Sequence, residues 1–230
     1  EGFKGNAFTA FGNAIHNVCE KKLLKEQIND EEFFIKEFEK YLSSLPEDVE
    51  VDPKLVEQMR AQGKSLLQEP LIENALKEYF KDGYEVLEAE MALYEPVEGY
   101  KNYRFKGYID GIVATPDGKV HIFDWKTCSW GWDARRKNDA MTTYQLTLYK
   151  HFFAKKMDID PKFVETHFSL IKRTAKKNRV EFFRVSSGPK KTQNALKLLN
   201  KALYNITNKR YIKNRLSCKK CKFRHTIHCP

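Results

Sequence analysis

The sequence predicts an α/β domain with a central mixed β-sheet flanked by helices and a helical insertion ahead of the sheet. Three observations carry this. The stretch Phe105 to Lys126, FKGYIDGIVATPDGKVHIFDWK, reads as a β-hairpin. Its apolar residues alternate on either side of Pro116-Asp117-Gly118, which has the composition of a tight turn. The residues before it are dominated by apolar positions at three-to-four spacing, the mark of amphipathic helices. The residues after it read as a helix, two more strands and a last helix, giving the order α–β–β–β–α–β.

The 230 residues suffice for one large domain or two small ones; a single domain over 1–230 is expected, with a helical insertion at about 30–82 and a cysteine-rich tail at about 214–230. Hydrophobic residues make up 41%, enough for a core; charged residues make up 31% in mixed sign, which argues against wholesale disorder. The net charge of +10 suits a polyanionic partner, because lysine and arginine release counterions when they meet phosphates. No run approaches 18 apolar residues, so no membrane span and no membrane partner are expected, and no signal peptide is evident. Five unevenly spaced cysteines do not form a secreted disulfide scaffold, and an intracellular, reducing setting is expected.

Residues 6 to about 28 read as the first helix, with Phe8, Phe11, Ile15 and Val18 as its apolar stripe and His16 and Glu20 one turn apart. Asn29 to Glu32 opens a second helix that buries Phe33, Phe34, Phe38, Tyr41 and Leu42; Leu45-Pro46-Glu47-Asp48 ends it. Asp52-Pro53 is an N-cap followed by proline at the first helical position, and the helical pattern then runs to Lys81, divided at Pro70. Glu85 to Tyr94 reads as a strand, with Val86, Glu88, Glu90 and Ala92 on one face, and Glu95 to Asn102 as a loop. The hairpin follows. Asn138 to about Met157 is a helix on which Gln145 and Tyr149 share a face. Phe163–Lys172 and Arg179–Val185 are strands around a basic turn, and Ser187-Gly188-Pro189 opens the last helix.

The hairpin carries the chemistry. Asp110 and Asp124 sit near the ends of its two strands, and Lys126 follows two residues on. Two carboxylates and a lysine on adjacent strands can hold a divalent metal beside a phosphate. Their hard oxygens suit Mg²⁺ or Mn²⁺ rather than zinc. The lysine, a compact point charge, can orient a water or neutralise developing charge. Trp130 and Trp132 next to Arg135-Arg136-Lys137 suggest base stacking with phosphate contact, or else a plug beneath a loop with a solvated basic edge; Arg173 in the basic turn is a further candidate for DNA contact. Cys128 is expected to be a small buried residue.

Gly107-Tyr108-Ile109-Asp110 followed by Asp124-Trp125-Lys126-Thr127, with Gly12-x-x-Ile15-His16 upstream and Gln145-x3-Tyr149 downstream, resembles the PD-(D/E)XK nuclease superfamily, and within it the RecB-like exonuclease branch. The resemblance spans roughly Gly12 to Tyr149. It implies that Asp110, Asp124, Lys126, His16, Gln145 and Tyr149 are catalytic. It also implies that the Trp125 backbone carbonyl and His16 join the aspartates around the metal, with Glu88 or Glu90 as a further acid. The implied activity is a metal-dependent DNA exonuclease acting on single strands or processed ends in recombination, repair or replication, in a prokaryotic or phage-infected cell, with a helicase or recombination protein as partner. A structure-selective or flap endonuclease with the same site, and a catalytically silent nucleic-acid-binding module, are the alternatives. The resemblance also extends to the tail: Cys218-x2-Cys221-x7-Cys229 is similar to the end of a 4Fe–4S staple in that branch. The fourth ligand of that pattern lies upstream of the motif histidine, where this sequence has no cysteine. Cys19 substitutes, or a missing upstream residue supplies it, or His225 or His228 completes a Zn²⁺ site, or the thiols are free.

Overall fold

The computed structural model describes residues 4–212, 218–219, 221, 223–227 and 229. Helices α1 (Ala7–Leu23), α2 (Asp30–Ser43), α3 (Pro53–Leu66) and α4 (Leu71–Tyr79) precede strands β1 (Glu85–Val97), β2 (Tyr100–Ala114) and β3 (Val120–Cys128). Helices α5 (Ala134–Asn138) and α6 (Ala140–Lys156), a 3-10 turn (Pro161–Phe163), strands β4 (Val164–Lys172) and β5 (Val180–Arg184), and helix α7 (Pro189–Thr207) follow. The sheet has strand order β1-β2-β3-β4-β5. β3 and β4 are parallel and every other pair is antiparallel, so the sheet is mixed as expected. The parallel pair is joined by a crossover through α5 and α6, which covers one face of the sheet. The described residues form two compact units that part inside α7, between Thr192 and Gln193. Among the described residues no helix is long and apolar enough to cross a membrane.

The helices start where their caps dictate. Asn6 closes a reciprocal box at the head of α1: its side chain accepts from Thr9 N at 3.0 Å, while Thr9 Oγ1 accepts from Asn6 N at 2.8 Å. Asp52 caps α3 by accepting from Lys54 N at 2.9 Å, ahead of Pro53. Pro70 separates α3 from α4, as its missing N–H requires. The insertion packs on α1 through aromatic rings. Phe11 meets Phe34 and Phe38 edge-on at 5.3 and 6.0 Å, and all three are fully buried. Burying each such ring contributes about 1.5–3 kcal/mol. α3 fits against Phe34 because residue 63 is glycine; a Cβ there would lie 2.1 Å from the Phe34 ring.

Three expectations about the strands and Cys128 change. The segment Glu95–Asn102 is not a loop: β1 continues to Val97 and β2 begins at Tyr100, joined by a tight turn at Gly99 with φ +79°. Pro96 is tolerated because β1 is the edge strand, with one side free of ladder bonds. Regular two-residue alternation along β1 also fails. The register shifts between Val86 and Glu88, and Glu90 adopts φ +53°. Cys128 is half-buried rather than buried.

A buried histidine pair ties β3 and β4 to α4. His121 Nδ1 and His167 Nε2 lie 3.0 Å apart, with Thr115 Oγ1 2.9 Å from His121 Nε2 and Tyr79 OH 3.0 Å from His167 Nδ1. Thr115 gives its one proton to Asp117, which fixes the direction of the row. His121 Nε2–H donates to Thr115, His167 Nε2–H donates to His121 Nδ1, and Tyr79 O–H donates to His167 Nδ1. Every ring nitrogen is then satisfied with both imidazoles neutral. Burial holds His121 below its usual range and drives His167 down to about 3. Glu165 beside them, 3.9 Å from His121 Nδ1, is already countered by Lys119 at 3.5 Å and Arg184 at 3.1 Å.

Candidate active site

The site forms where β2 and β3 part. Their ladder ends at the pair Gly111↔Phe123, so Asp110 and Asp124 are the first residues beyond it. Asp110 turns across the gap, and its Oδ2 accepts from Trp125 N at 2.6 Å. The ladder bond that β2 no longer supplies is replaced by a carboxylate. Trp125 itself points into the core, 1% exposed, with its ring edge-on to Phe123 and Phe182 at 5.0 and 5.8 Å. That anchor fixes the backbone on which Asp124 and Lys126 stand.

α1 approaches the end of β3 closely at Gly12, where a Cβ would sit 3.2 Å from Thr127 Oγ1. One turn later His16 Nδ1 lies 3.7 Å from Asp110 Oδ2. Glu90 reaches the same point from β1; ligand atoms of His16, Glu90 and Asp110 all fall within 4.8 Å of one another. The left-handed conformation of Glu90 is uncommon for a residue with a Cβ and costs about 1–3 kcal/mol. It aims the carboxylate at Asp110. Glu88 is exposed and belongs to no such group among the described residues. The sequence left these two acids unresolved because a period-two face contains both; the bulge and the positive φ separate them.

Asp124 is 2% exposed. Lys126 Nζ lies 2.6 Å from its Oδ2, and Gln145 Nε2 donates to its Oδ1 at 2.7 Å. Gln145 also donates to Tyr149 OH at 3.1 Å, so α6 places both residues of the Gln-x3-Tyr pair on the site's edge. Tyr149 is packed over Gly107, where a Cβ would fall 2.6 Å from the tyrosine ring. All six residues expected to be catalytic thus stand around one point.

The electrostatics have a consistent sense. Burial and the neighbouring Asp124 charge push the Asp110 carboxyl well above the usual range. Burial raises Asp124, with Lys126 and Gln145 opposing. Burial raises Glu90, reinforced by Glu20 and Asp124. Burial disfavours the Lys126 ammonium, but the two aspartates outweigh it and hold its pKa above the ordinary value. Burial and Lys126 lower His16 to about 4, so its imidazole is neutral at pH 7. Three carboxyls crowd together with one ammonium and a neutral imidazole. Such a set is short of positive charge, and its oxygen-rich donors fit a hard divalent cation.

The candidate DNA-contact residues fare differently. Trp130 is 75% exposed, but Trp132 is buried against Phe168 and Phe183 with the Arg136 guanidinium 4.3 Å over its ring. Lys137 pairs with Glu181. Arg173 bonds Gln62 and Ser129 at 2.7 and 2.8 Å and lies over Phe8. Arg135 is exposed. Of the cysteines, Cys19 is buried in α1 with its thiol pKa raised by burial. Cys218, Cys221 and Cys229 belong to no group of three metal-ligating side chains among the described residues. His225 is described, with its N–H donating to Cys229 O; His228 lies outside the described residues.

A family model for the PD-(D/E)XK nuclease superfamily matches residues 2–227. No curated protein matches the sequence. Among solved structures, a candidate exonuclease from Eubacterium rectale aligns over 100% of this chain and 79% of its own, at 10% identity and a TM-score of 0.56. SSO0001 aligns over 91% of this chain and 82% of its own, at 15% identity and a TM-score of 0.40.

Proposed function

The chain belongs to the PD-(D/E)XK nuclease superfamily, and from that premise we propose that it is a metal-dependent DNA exonuclease working on single-stranded or processed ends. The observation that carries this reading is the convergence of His16, Glu90 and Asp110 on one point, with the Asp124–Lys126 pair beside them on β3. A divalent cation held there, Mg²⁺ or Mn²⁺, supplies charge stabilisation at the phosphate and makes a bound water more acidic. Asp110, Glu90 and neutral His16 are the groups that would hold it, with Asp124 and the Trp125 carbonyl beside them on β3.

The rest falls to the protein. Lys126, kept protonated by Asp124 and Asp110, places a fixed positive charge where negative charge grows on the scissile phosphate. In a buried site such a charge counts for more than in water. Gln145 fixes the rotamer of Asp124 through Oδ1, leaving Oδ2 directed at Lys126. Tyr149 fixes Gln145 in turn. The name of the Eubacterium rectale protein, which shares the fold, accords with an exonuclease mode.

The deciding experiment compares end-labelled linear single-stranded DNA with a closed circular single strand, each with Mg²⁺, Mn²⁺ or EDTA. Degradation of the linear strand alone, lost in EDTA and in Lys126→Ala, is the expected result. Cutting of the circle assigns an endonuclease instead. Binding without cutting of either assigns a silent binding module.

A further inference from the structure

The hairpin β1–β2 extends well past the point where β2 leaves β3, and its exposed face is chemically distinctive. In β2, Arg104, Lys106 and Tyr108 are exposed at alternate positions, and the next residue of the series is Asp110. Alternate residues of a strand stand about 6.6–6.8 Å apart on one face. On β1 the cross-strand partner of Lys106 is Tyr94, which is 62% exposed; Tyr108 is 47% exposed. Each tyrosine carries a cation: the Arg104 guanidinium lies 5.4 Å over the Tyr94 ring, and Lys106 Nζ lies 5.5 Å over the Tyr108 ring.

The intervening residues explain why this face is outside. Phe105 stacks on Phe152 at 4.3 Å, and Gly107 lies under Tyr149, so the other face is closed by α6. Gly111 and Val113 have the same parity, yet Gly111 abuts Leu23 of α1 and Val113 joins the core around α1. The packed partner of β2 therefore changes from α1 to α6 across Asp110, opposite the left-handed Glu90. The row of Arg104, Lys106 and Tyr108 emerges on the free side at the site's edge.

Packing does not account for the row. Large exposed aromatic rings gain little from folding. Neither Arg104 nor Lys106 is in an ion pair among the described residues, whereas Lys156, near the same hairpin, is engaged by Glu95 and the Ala92 carbonyl. Cations that no carboxylate neutralises, set beside exposed tyrosine rings, match the two parts of a single nucleic-acid strand, phosphates and unstacked bases. A duplex keeps its bases stacked and offers nothing to the tyrosines.

We propose that Tyr94, Arg104, Lys106 and Tyr108 form a track on the β1–β2 hairpin that binds a single DNA strand and feeds it to the carboxylate site. The proposal rests on the nuclease reading for its direction, towards Asp110, but not for the binding itself. Its rival is purely structural: cation–aromatic pairs that stabilise a hairpin and cations that guard an edge strand against aggregation.

The test is fluorescence anisotropy with a labelled single-stranded oligonucleotide, in Ca²⁺ or EDTA, over a range of salt. Arg104→Gln with Lys106→Gln is expected to weaken binding at least tenfold near 0.1 M salt. It should also lower the slope of log K against log[salt] by about 1.4, at roughly 0.7 per phosphate contact on a single strand. Tyr94→Ala and Tyr108→Ala should each weaken binding about fivefold or more at any salt. Lys106→Arg and Tyr108→Phe should bind as the parent does. In cleavage, KM rises and kcat at saturating DNA is kept. Unchanged affinity and slope in folded variants overturn the track, as does an equal loss for a blunt duplex or a fall in melting temperature without loss of affinity. A parent that binds the strand but never cleaves it sinks the nuclease reading alone, because the binding comparison still decides the track.

Discussion

The Trp125 amide donates to Asp110 Oδ2 at 2.6 Å, across the gap where β2 and β3 stop pairing. One carboxylate thus does two jobs: it completes the backbone hydrogen bonding of β3 and it supplies an acid whose pKa is held well above the usual range by burial and by Asp124. Asp110→Asn separates them. An amide oxygen still accepts from Trp125 N, and the burial of a charge is removed. The variant is expected to lose at least a hundredfold in cleavage while its melting temperature in EDTA stays level or rises. A clear fall in melting temperature would show that the ionised carboxylate holds the strands together.

Glu90 pays for its position with a left-handed backbone. Glu90→Gly relieves that conformation and deletes the carboxylate. Stability in EDTA should hold within about 1 kcal/mol, since strain relief of about 1–2 kcal/mol offsets the entropy of glycine. Metal affinity, read by isothermal titration with Mn²⁺, should fall at least tenfold. Unchanged Mn²⁺ affinity would remove Glu90 from the metal-binding set.

The buried histidine pair predicts an acid limit to stability. In the unfolded chain an imidazole titrates near pH 6.5. In the folded protein burial takes His167 down to about 3 and lowers His121. Between those values the unfolded state binds more protons, so stability falls as pH falls from about 6.5 towards 3. Each such histidine adds a slope of up to about 1.4 kcal/mol per pH unit. Urea unfolding at pH 7 and pH 5 should show the parent losing more than His167→Gln, by about 2 kcal/mol over the interval. Parallel losses would mean that His167 takes up its proton in the folded state.

Gly63 is a packing requirement. A Cβ there meets the Phe34 ring at 2.1 Å, and Phe34 is itself locked between Phe11 and Phe38. Gly63→Ala should cost about 1–3 kcal/mol through overpacking. The gain in helix propensity, about 1 kcal/mol, is too small to reverse the sign. Denaturant unfolding checks this, and an equal or higher midpoint would show that the ring can move.

Much of the molecule was legible in its sequence. The helix start at Asn29–Glu32, the cap at Asp52, the break at Pro70 and the turn at Pro116-Asp117-Gly118 are short-range chemistry, and the structure has helix starts, a helix boundary and a turn there. Asp110, Asp124 and Lys126 were legible from the hairpin that carries them, whereas His16, Gln145 and Tyr149 were named only through the resemblance to the PD-(D/E)XK superfamily. The hairpin turn at Gly99 was missed, since Pro96 and a run of polar residues resemble a loop until the strand is known to lie at an edge.

What only the tertiary structure decided has a common physical cause: it depends on which surfaces meet. Sequence periodicity cannot choose between Glu88 and Glu90, because a bulge and one positive φ are set by packing across β1 and β2. It cannot show that Trp132 is enclosed while Trp130 is free, or that Arg173 is spent on Gln62 and Ser129. Nor can it show that the row ending in Asp110 is left open when α6 closes the other face. The local code determined the elements and the candidate chemistry; long-range burial decided which charges are paired and which remain for a ligand.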